Sequence, residues 1–209
     1  IPIDNMVSQV INFPAEPVHW GSNKPGMQAG DEIELEIGRR AWFNSAARSV
    51  DSARELQKTG LHKQIVNRVL EPFQFMNVIM TTTDIDNFFW LRCHADAQPE
   101  IQEVAELVFK AASQSTPETL RDGEWHTPFV EHGRTDAGRL VYISEGAEIS
   151  VEDAIRVSSS CCAQVSYRKC DTSIEKAGKI FDRLVSTKPL HASPFEHVAV
   201  PFGEQYNAD

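Results

Sequence analysis

The stretch that organises this chain reads NFFWLRCHADAQPEI and covers residues 87–101. It places three aromatic residues and one arginine directly before a polar turn. If residues 85–93 form a helix, Phe88, Phe89 and Leu91 lie on one broad apolar face, because neighbouring turns of a helix stack their side chains. The sequence therefore predicts an apolar helix that ends in a positive charge.

Arg92 on this helix and Arg68 upstream are the candidate anion-binding side chains. A guanidinium on so apolar a helix needs a partner, because an isolated buried charge is costly. Asn87 lies five positions before Arg92, so both side chains can reach a pocket wall beside the helix. A strand predicted at residues 73–82 separates the arginines, and a helix–strand–helix unit can bring both to one end, where they suit a phosphate or a carboxylate.

Ordinary ion pairs are the alternative for both arginines. Arg92 would then bridge a carboxylate at the edge of the core. Arg68 would pair with Glu71 or Asp86 on the solvated surface. The residues alone leave both possibilities open.

Composition narrows the possible functions. The net charge of −10 argues against general binding to nucleic acid or to a membrane surface, because phosphate backbones require a positive face. The four cysteines form no C-x-x-C pair, which favours reduced thiols in a cytosolic protein, and no ligand spacing predicts a metal site. No signal peptide and no apolar run near the length of a membrane span is present.

The hydrophobic pattern predicts one α+β domain over residues 1–209, rich in helix and with a small mixed β-sheet. The first 30 residues contain many Pro and Gly, which predicts an irregular segment. Strands are predicted at residues 73–82 and 140–143. Helices are predicted at residues 31–60, 61–71, 85–93, 97–114 and 151–167, the last capped by Ser150, and from Thr172 or Ser173 to Val185.

The C-terminal region carries the sequence HASPFEH at residues 191–197. A hydrolase with Ser193 as its nucleophile is one interpretation, although no G-x-S-x-G turn surrounds this serine. The other is structural: Ser193 caps a helix, Pro194 is its first residue and Glu196 completes a capping box.

Four motifs in this chain resemble those of the flavin-dependent thymidylate synthases. The family segment N-F-L-x-L-R, followed by H-A-Q-W-E-I, resembles NFFWLR at residues 87–92 and AQPEI at residues 97–101. The family motif A-R-x-x-L-P resembles NRVLEP at residues 67–72. The motifs A-R-V-S-[FY] and H-x-[ST]-P-F-E-H resemble AQVSY at residues 163–167 and HASPFEH at residues 191–197.

Two features depart from the family pattern. The motifs occur in the reverse order, so the chain resembles a circularly permuted member, which is tolerable where the original termini lie close together on the surface. The family signature R-H-R-x-x-S-x-N-x-x-S-x-R is absent from this chain. In the permuted order it would precede Ile1, so we expect a longer, phage-like member that is incomplete at its N-terminus.

The resemblance implies a reaction and roles for particular residues. It implies reductive methylation of dUMP to dTMP with methylenetetrahydrofolate, FAD and NADPH, without a cysteine nucleophile. Arg92 would be catalytic, because it matches the arginine that contacts the pyrimidine of dUMP and favours its ionisation at N3. Arg68 matches an arginine that binds dUMP, and Asn87, His191 and Ser193 match residues that bind FAD.

The resemblance also implies a homotetramer, and it leaves three alternative functions open. Family members are homotetramers, and we expect a cytoplasmic protein, in the host cytoplasm if it is phage-encoded, with neither a nucleic acid polymer nor a membrane as partner. A phage pyrimidine-nucleotide hydroxymethylase is the nearest alternative. A non-catalytic homologue that binds flavin or nucleotide is the second, and the hydrolase centred on Ser193 and His197 is the third.

Overall fold

The computed structural model describes residues 1–168 and 170–201, and its contacts divide the chain into two compact units. Unit 1 contains Ile1–Met76 and Thr82–Thr116, and unit 2 contains Asn77–Thr81 and Pro117–Asp209. The single domain expected from the sequence stays a prediction, because a division by contacts does not decide whether either unit folds alone.

Helices dominate the described residues, and the strands form one small sheet, which confirms the α+β class. The α-helices are α1 (Ile3–Asn12), α2 (Leu35–Lys58), α3 (Lys63–Val66), α4 (Asp86–Arg92), α5 (Pro99–Gln114), α6 (Val151–Gln164) and α7 (Ile174–Ser186). Short 3₁₀ helices cover Asn67–Phe73, Val165–Tyr167 and Ser193–His197. The strands are β1 (Glu131–Arg134), β2 (Leu140–Ser144) and β3 (Ala147–Ile149).

The core of unit 1 lies between α1, α2 and the 3₁₀ helix Asn67–Phe73. Its buried residues are Met6, Val7, Val10, Ala46, Val50, Ala53, Val66, Leu70 and Phe73. Those on α2 follow one another at intervals of four and three, which places them on one stripe of the helix. The prediction that the first 30 residues are irregular is wrong for α1, where Met6, Val7 and Val10 have helical spacing and enter this core.

The strand predicted at residues 73–82 does not form. Residues 74–80 have no regular secondary structure, because no neighbouring strand among the described residues is available to make a ladder with them. The helix predicted at residues 61–71 is also shorter, since α3 gives way to the 3₁₀ helix Asn67–Phe73. The helix–strand–helix unit expected around Arg68 and Arg92 is therefore wrong.

The sheet of unit 2 is antiparallel rather than mixed, with strand order β1-β2-β3. Consecutive strands joined by short turns pair in this way. At the turn from β2 to β3, Glu145 and Gly146 both have positive φ angles, of 51° and 80°, as a tight hairpin requires. Alternate residues of β2 are buried, so the sheet packs one face against the core of unit 2.

The helix α6 begins as predicted, because the Ser150 hydroxyl accepts a hydrogen bond of 3.1 Å from the Asp153 backbone N–H. Six consecutive α6 residues, numbers 157–162, are buried. Consecutive positions point in different directions around a helix, so α6 is enclosed on several sides. The enclosing elements include β2, α7 and the 3₁₀ helix Ser193–His197.

Arg134 on β1 holds the segment before the sheet in place. Its Nε lies 2.6 Å from a Glu118 carboxylate oxygen, and its two Nη atoms donate to the two Glu124 carboxylate oxygens at 2.8 and 2.9 Å. The same guanidinium donates to the carbonyl oxygens of Thr119 and Gly138, both at 3.0 Å. These contacts lower the pKa of Glu124 to about 2, chiefly through the hydrogen bonds from Arg134.

We expect this ion pair to stabilise the protein in a pH-dependent way. The folded pKa of Glu124 is depressed from 4.5 to about 2, so its contribution is complete above pH 4.5 and is lost as the pH falls towards 2. Glu124→Gln should therefore lower the melting temperature at neutral pH. The difference from the unsubstituted protein should shrink through this window, as measured by thermal unfolding at a series of pH values.

The matched control is Glu148→Gln, because Glu148 pairs with Arg139 and both side chains are more than half exposed. An exposed pair contributes little, so this substitution should change the melting temperature much less than Glu124→Gln. Equal effects of the two substitutions at neutral pH would contradict the role given to Arg134.

Candidate functional site

The organising stretch forms the predicted helix, but its apolar face is not buried: Phe88 and Phe89 are half-buried and Leu91 is exposed. Phe89 on α4 meets Phe88 and Phe109 edge to face, with ring centroids 5.8 and 5.2 Å away. Trp90 is 75% exposed and no α4 residue is buried. The apolar side chains of α4 therefore contribute more to the surface of unit 1 than to its core.

Arg92 and Asn87 are both exposed residues of α4. Their separation of five positions places them about 140° apart around the helix axis. Arg92 occupies the last turn, where a positive charge interacts favourably with the helix dipole. Water solvates its guanidinium, and the salt bridge expected from the sequence does not form with any residue that the structure describes.

Arg68 makes the ion pair that was one alternative for it. It lies on the 3₁₀ helix Asn67–Phe73, and its Nη1 is 4.0 Å from a Glu71 carboxylate oxygen. Both side chains are more than half exposed, so the pair is weak and leaves the guanidinium accessible to an anion.

A pocket of about 430 Å³ in unit 2 is lined by residues from two of the motifs. We call it the motif pocket. From residues 163–167 it takes Ala163, Val165, Ser166 and Tyr167, from residues 191–197 it takes His191, Ser193, Pro194 and His197, and the remaining lining is Asn77, Val78, Ile79 and Cys162. The volume lies within the range of about 300–1,000 Å³ that is usual for small-molecule sites.

His191 and Ser193 present free polar atoms to the motif pocket. The N-cap of the 3₁₀ helix Ser193–His197 is Ala192, so Ser193 is its first helical residue and not its cap, and the capping-box interpretation is wrong. Among described residues, neither the Ser193 hydroxyl nor the His191 ring has a hydrogen-bond partner. Both groups are thus available to a ligand, whereas the neighbouring Pro194 is buried.

The segment Asn77–Thr81 is fastened to the motif pocket through His197. The Thr81 hydroxyl and Nδ1 of the His197 ring are 2.9 Å apart. That nitrogen is engaged by Thr81 rather than by Ser193, so this contact gives no support to a Ser–His pair of hydrolase type. The sequence contained no local signal for the bond, because 116 positions separate its partners.

A second pocket, of about 490 Å³, also lies in unit 2. Asn77, Val78, Ile79 and Val165 line both pockets, and Met80, Phe129, Cys161, Arg168 and Cys170 complete the lining of the second. Cys161 and Cys162, which are adjacent on α6, thus line different pockets of unit 2. Phe129, Arg168 and Cys170 were not singled out from the sequence.

The motif pocket carries little charge. None of the described residues that line it is a lysine or an arginine, and burial raises the pKa of the Cys162 thiol to about 11, so this thiol is neutral at physiological pH. Its apolar walls and two free polar groups fit an uncharged aromatic ring such as that of a flavin. A diphosphate needs positive charge or a set of backbone N–H donors, so that part of a dinucleotide cofactor would have to lie outside the motif pocket.

The described residues contain neither a grouped set of metal ligands nor a helix that could cross a membrane. Within residues 1–168 and 170–201, no three or more His, Cys, Asp and Glu side chains are grouped so as to hold a metal ion. No helix in the same residues has both the length and the apolar character needed to cross a membrane.

Comparisons with protein-family models, with curated proteins and with solved structures found no match. The resemblance to the flavin-dependent thymidylate synthases therefore rests on the four sequence motifs.

Thr81→Val tests how the segment Asn77–Thr81 is held. The substitution keeps the shape of the side chain but removes its bond to His197, and a hydrogen bond contributes about 1 kcal/mol, or a fivefold change in local opening. We expect chymotrypsin to cleave after the exposed Met80 about fivefold faster in this variant. The protease is kept at a low concentration, so that the segment opens and closes many times before each cleavage and the rate reports the opening equilibrium. Thr83→Val, which removes no described hydrogen bond, is the control, and equal rates in the two variants would contradict the tether.

Proposed function

We propose that the chain is an enzyme of the flavin-dependent thymidylate synthase type, which methylates dUMP reductively to dTMP with methylenetetrahydrofolate, FAD and NADPH. The observation that carries the proposal is the motif pocket. Its lining combines two motifs that were matched separately in the sequence and are more than 20 positions apart. Two unrelated chance matches would have no reason to line one pocket.

His191 and Ser193 are the residues that would hold the flavin in unit 2. Their free ring nitrogen and hydroxyl can bond the polar edge of an aromatic ring system, while Val78, Ile79 and Val165 offer apolar contact to its faces. Asn87 is the third proposed FAD ligand. The chemistry that bound FAD supplies is the delivery of reducing equivalents taken from NADPH.

Arg92 and Arg68 are the proposed dUMP ligands. Placed against the pyrimidine edge, the Arg92 guanidinium stabilises the negative charge that develops when N3 ionises, and this activates C5 towards the one-carbon unit. Arg68 is bound only by a weak exposed ion pair, so it can exchange Glu71 for an anionic group of the nucleotide.

The state of the buried thiols agrees with a reaction that uses no cysteine nucleophile. Burial is the main cause that raises the pKa of both Cys161 and Cys162. A thiol must lose its proton to become an effective nucleophile, so neither group is activated in this fold. The proposed mechanism does not require either of them to react.

Self-association as a homotetramer is part of the proposal. Large apolar side chains on α4 and α5 are more than half exposed, namely Trp90, Val104, Leu107 and Phe109. Exposed apolar side chains can contribute to a protein interface where they form a contiguous patch. In a symmetric assembly, the exposed arginines of one subunit can serve the nucleotide of another. We place the activity in the cytoplasm, or in the host cytoplasm if the gene belongs to a phage.

Ser193→Ala tests the flavin site. Loss of one hydrogen bond to the cofactor should raise the FAD dissociation constant about tenfold, which corresponds to about 1.4 kcal/mol. The measurement is a titration of the unsubstituted chain and the variant with FAD, followed by flavin absorbance and fluorescence. Ser186→Ala is the control, because Ser186 bonds only the Arg183 carbonyl oxygen and lies outside the pocket lining.

An unsubstituted chain that takes up no FAD would contradict the proposal as a whole. Uptake of FAD that Ser193→Ala leaves unchanged would contradict only the role given to Ser193.

Arg92→Ala tests the nucleotide site. Removal of one group that stabilises transition-state charge typically lowers kcat by about 10²–10³-fold. We expect that loss in dUMP-dependent turnover, with FAD affinity unchanged because Arg92 is assigned to the nucleotide. Arg48→Ala, which removes an exposed arginine of α2 without a described ion pair, should retain full turnover.

Retained turnover in Arg92→Ala would overturn the catalytic role of this residue. Chromatographic identification of the nucleotide product separates the alternatives, since a hydroxymethylase forms the 5-hydroxymethyl product. A protein that binds flavin but forms no product is the non-catalytic homologue.

A further inference from the structure

The second pocket of unit 2 has two cysteines in its wall, Cys161 and Cys170. Cys161 lies in the last turn of α6 and is 1% exposed, whereas Cys170 is an exposed residue that follows α6 in the chain. The Cys161 Sγ donates to the carbonyl oxygen of Asp171 at 3.6 Å. The buried sulfur is therefore in contact with the residue that directly follows Cys170.

Local backbone geometry accounts for this approach. After the 3₁₀ helix Val165–Tyr167, Arg168 adopts a left-handed conformation with a φ of 56°. Such a residue ends a helix and reverses the direction of the chain. Asp171 is thereby returned to the end of α6, and its carboxylate accepts hydrogen bonds from the backbone N–H and the hydroxyl of Ser173, which fixes the segment that enters α7.

The two adjacent α6 cysteines differ in what they face. Successive residues are about 100° apart around a helix, so Cys161 and Cys162 point in different directions. Cys161 lines the second pocket together with Cys170, whereas Cys162 lines the motif pocket. Only Cys161 shares a pocket wall with the exposed thiol.

The reactivities of the two thiols are complementary. Burial is the largest cause that raises the pKa of Cys161, and the neighbouring Cys170 thiol raises it further. Cys161 therefore stays protonated and is a poor first nucleophile towards an oxidant. Cys170 is exposed to solvent, so a soluble oxidant reaches it first.

We propose that Cys161 and Cys170 form a reversible disulfide, which makes this wall of the second pocket a site of oxidative modification by a low-molecular-weight disulfide. Cys170 is the attacking residue and Cys161 the resolving residue. The two pockets share Val78, Ile79 and Val165, but neither Cys161 nor Cys170 is assigned to FAD or dUMP. The proposal therefore does not require the proposed reaction.

Thiol–disulfide exchange gives the balanced chemistry. The Cys170 thiolate attacks one sulfur of glutathione disulfide, the S–S bond breaks, and one glutathione thiolate leaves. Cys161 then loses its proton, its sulfur attacks the Cys170 sulfur of the mixed disulfide, and the second glutathione thiolate leaves. Two protein thiols are oxidised and one glutathione disulfide is reduced to two glutathione molecules, which take up the two protons released.

The bond would join the turn after Tyr167 covalently to α6. It would also convert two separate thiols in the wall of the second pocket into one apolar bridge. An excess of reduced glutathione reverses the reaction, so the state of this wall would follow the ratio of the two forms of glutathione.

The experiment maps disulfides in the complete, unsubstituted chain. The protein is incubated with glutathione disulfide, its remaining thiols are blocked with N-ethylmaleimide, and it is digested with trypsin. Arg168 and Lys169 are both cleavage sites, so Cys161 and Cys170 fall on separate peptides, residues 157–168 and 170–176. We expect these peptides to be linked, two of the four thiols to be lost, and dithiothreitol to separate the pair.

Fragmentation of the linked peptides in the mass spectrometer identifies which α6 cysteine takes part. A bond at Cys161 is the expected result. A bond at Cys162, or a Cys170 that carries only a glutathione adduct, would overturn the proposal. This measurement needs no substitution, so it stays decisive even if a variant at the buried position fails to fold.

Variants provide the matched controls. Cys162→Ser should form the linked peptides to the same extent as the unsubstituted chain, because Cys162 faces the other pocket. Cys170→Ser should form none, and Cys161→Ser should stop at the glutathione adduct of Cys170. Linkage that persists in Cys161→Ser would refute the pairing.

Discussion

The enclosure of α6 is the constraint on which the architecture of unit 2 depends. Residues 157–162 are buried in succession, and Ser158, Ser159 and Ser160 are fully inaccessible to solvent. Small side chains allow neighbouring elements to approach a helix closely on several sides, which larger residues would prevent at the packing density of a protein interior. The same enclosure directs Cys161 to one pocket and Cys162 to the other. Both proposed sites therefore depend on one helix.

Where a local rule was sufficient, the sequence predicted the fold well. The helices α2 and α5 follow from apolar periodicity, and Ser150 caps α6 as its residue type suggests. The predictions fail where the structure of a segment depends on a neighbouring element elsewhere in the chain. Residues 74–80 are rich in β-forming side chains, but a strand requires a neighbour to complete its hydrogen bonds, and none is described.

The site was predictable only as far as the motifs extend. His191 and Ser193 were named from the resemblance, and the structure places them in one pocket with residues 163–167. The contacts that organise this pocket could not be predicted from the sequence, because they join residues that are far apart in the chain. Thr81 and His197 are 116 residues apart, and no pattern within either segment indicates the pair.

The arginines differ in how many of their guanidinium N–H donors are already paired within the protein. Arg134 is one-quarter exposed and bonds two carboxylates and two carbonyl oxygens, so its donors are occupied and any anion would have to displace them. Arg92 is solvated, and Arg68 has one weak partner. In a chain of net charge −10, an anionic nucleotide is repelled at long range and must be held by donors that are not already paired. By this criterion Arg134 is structural, whereas Arg92 and Arg68, like the exposed Arg48, still have donors that could bind an anion. Burial and pairing therefore separate Arg134 from the exposed arginines, and only the motif resemblance selects Arg92 and Arg68 among these.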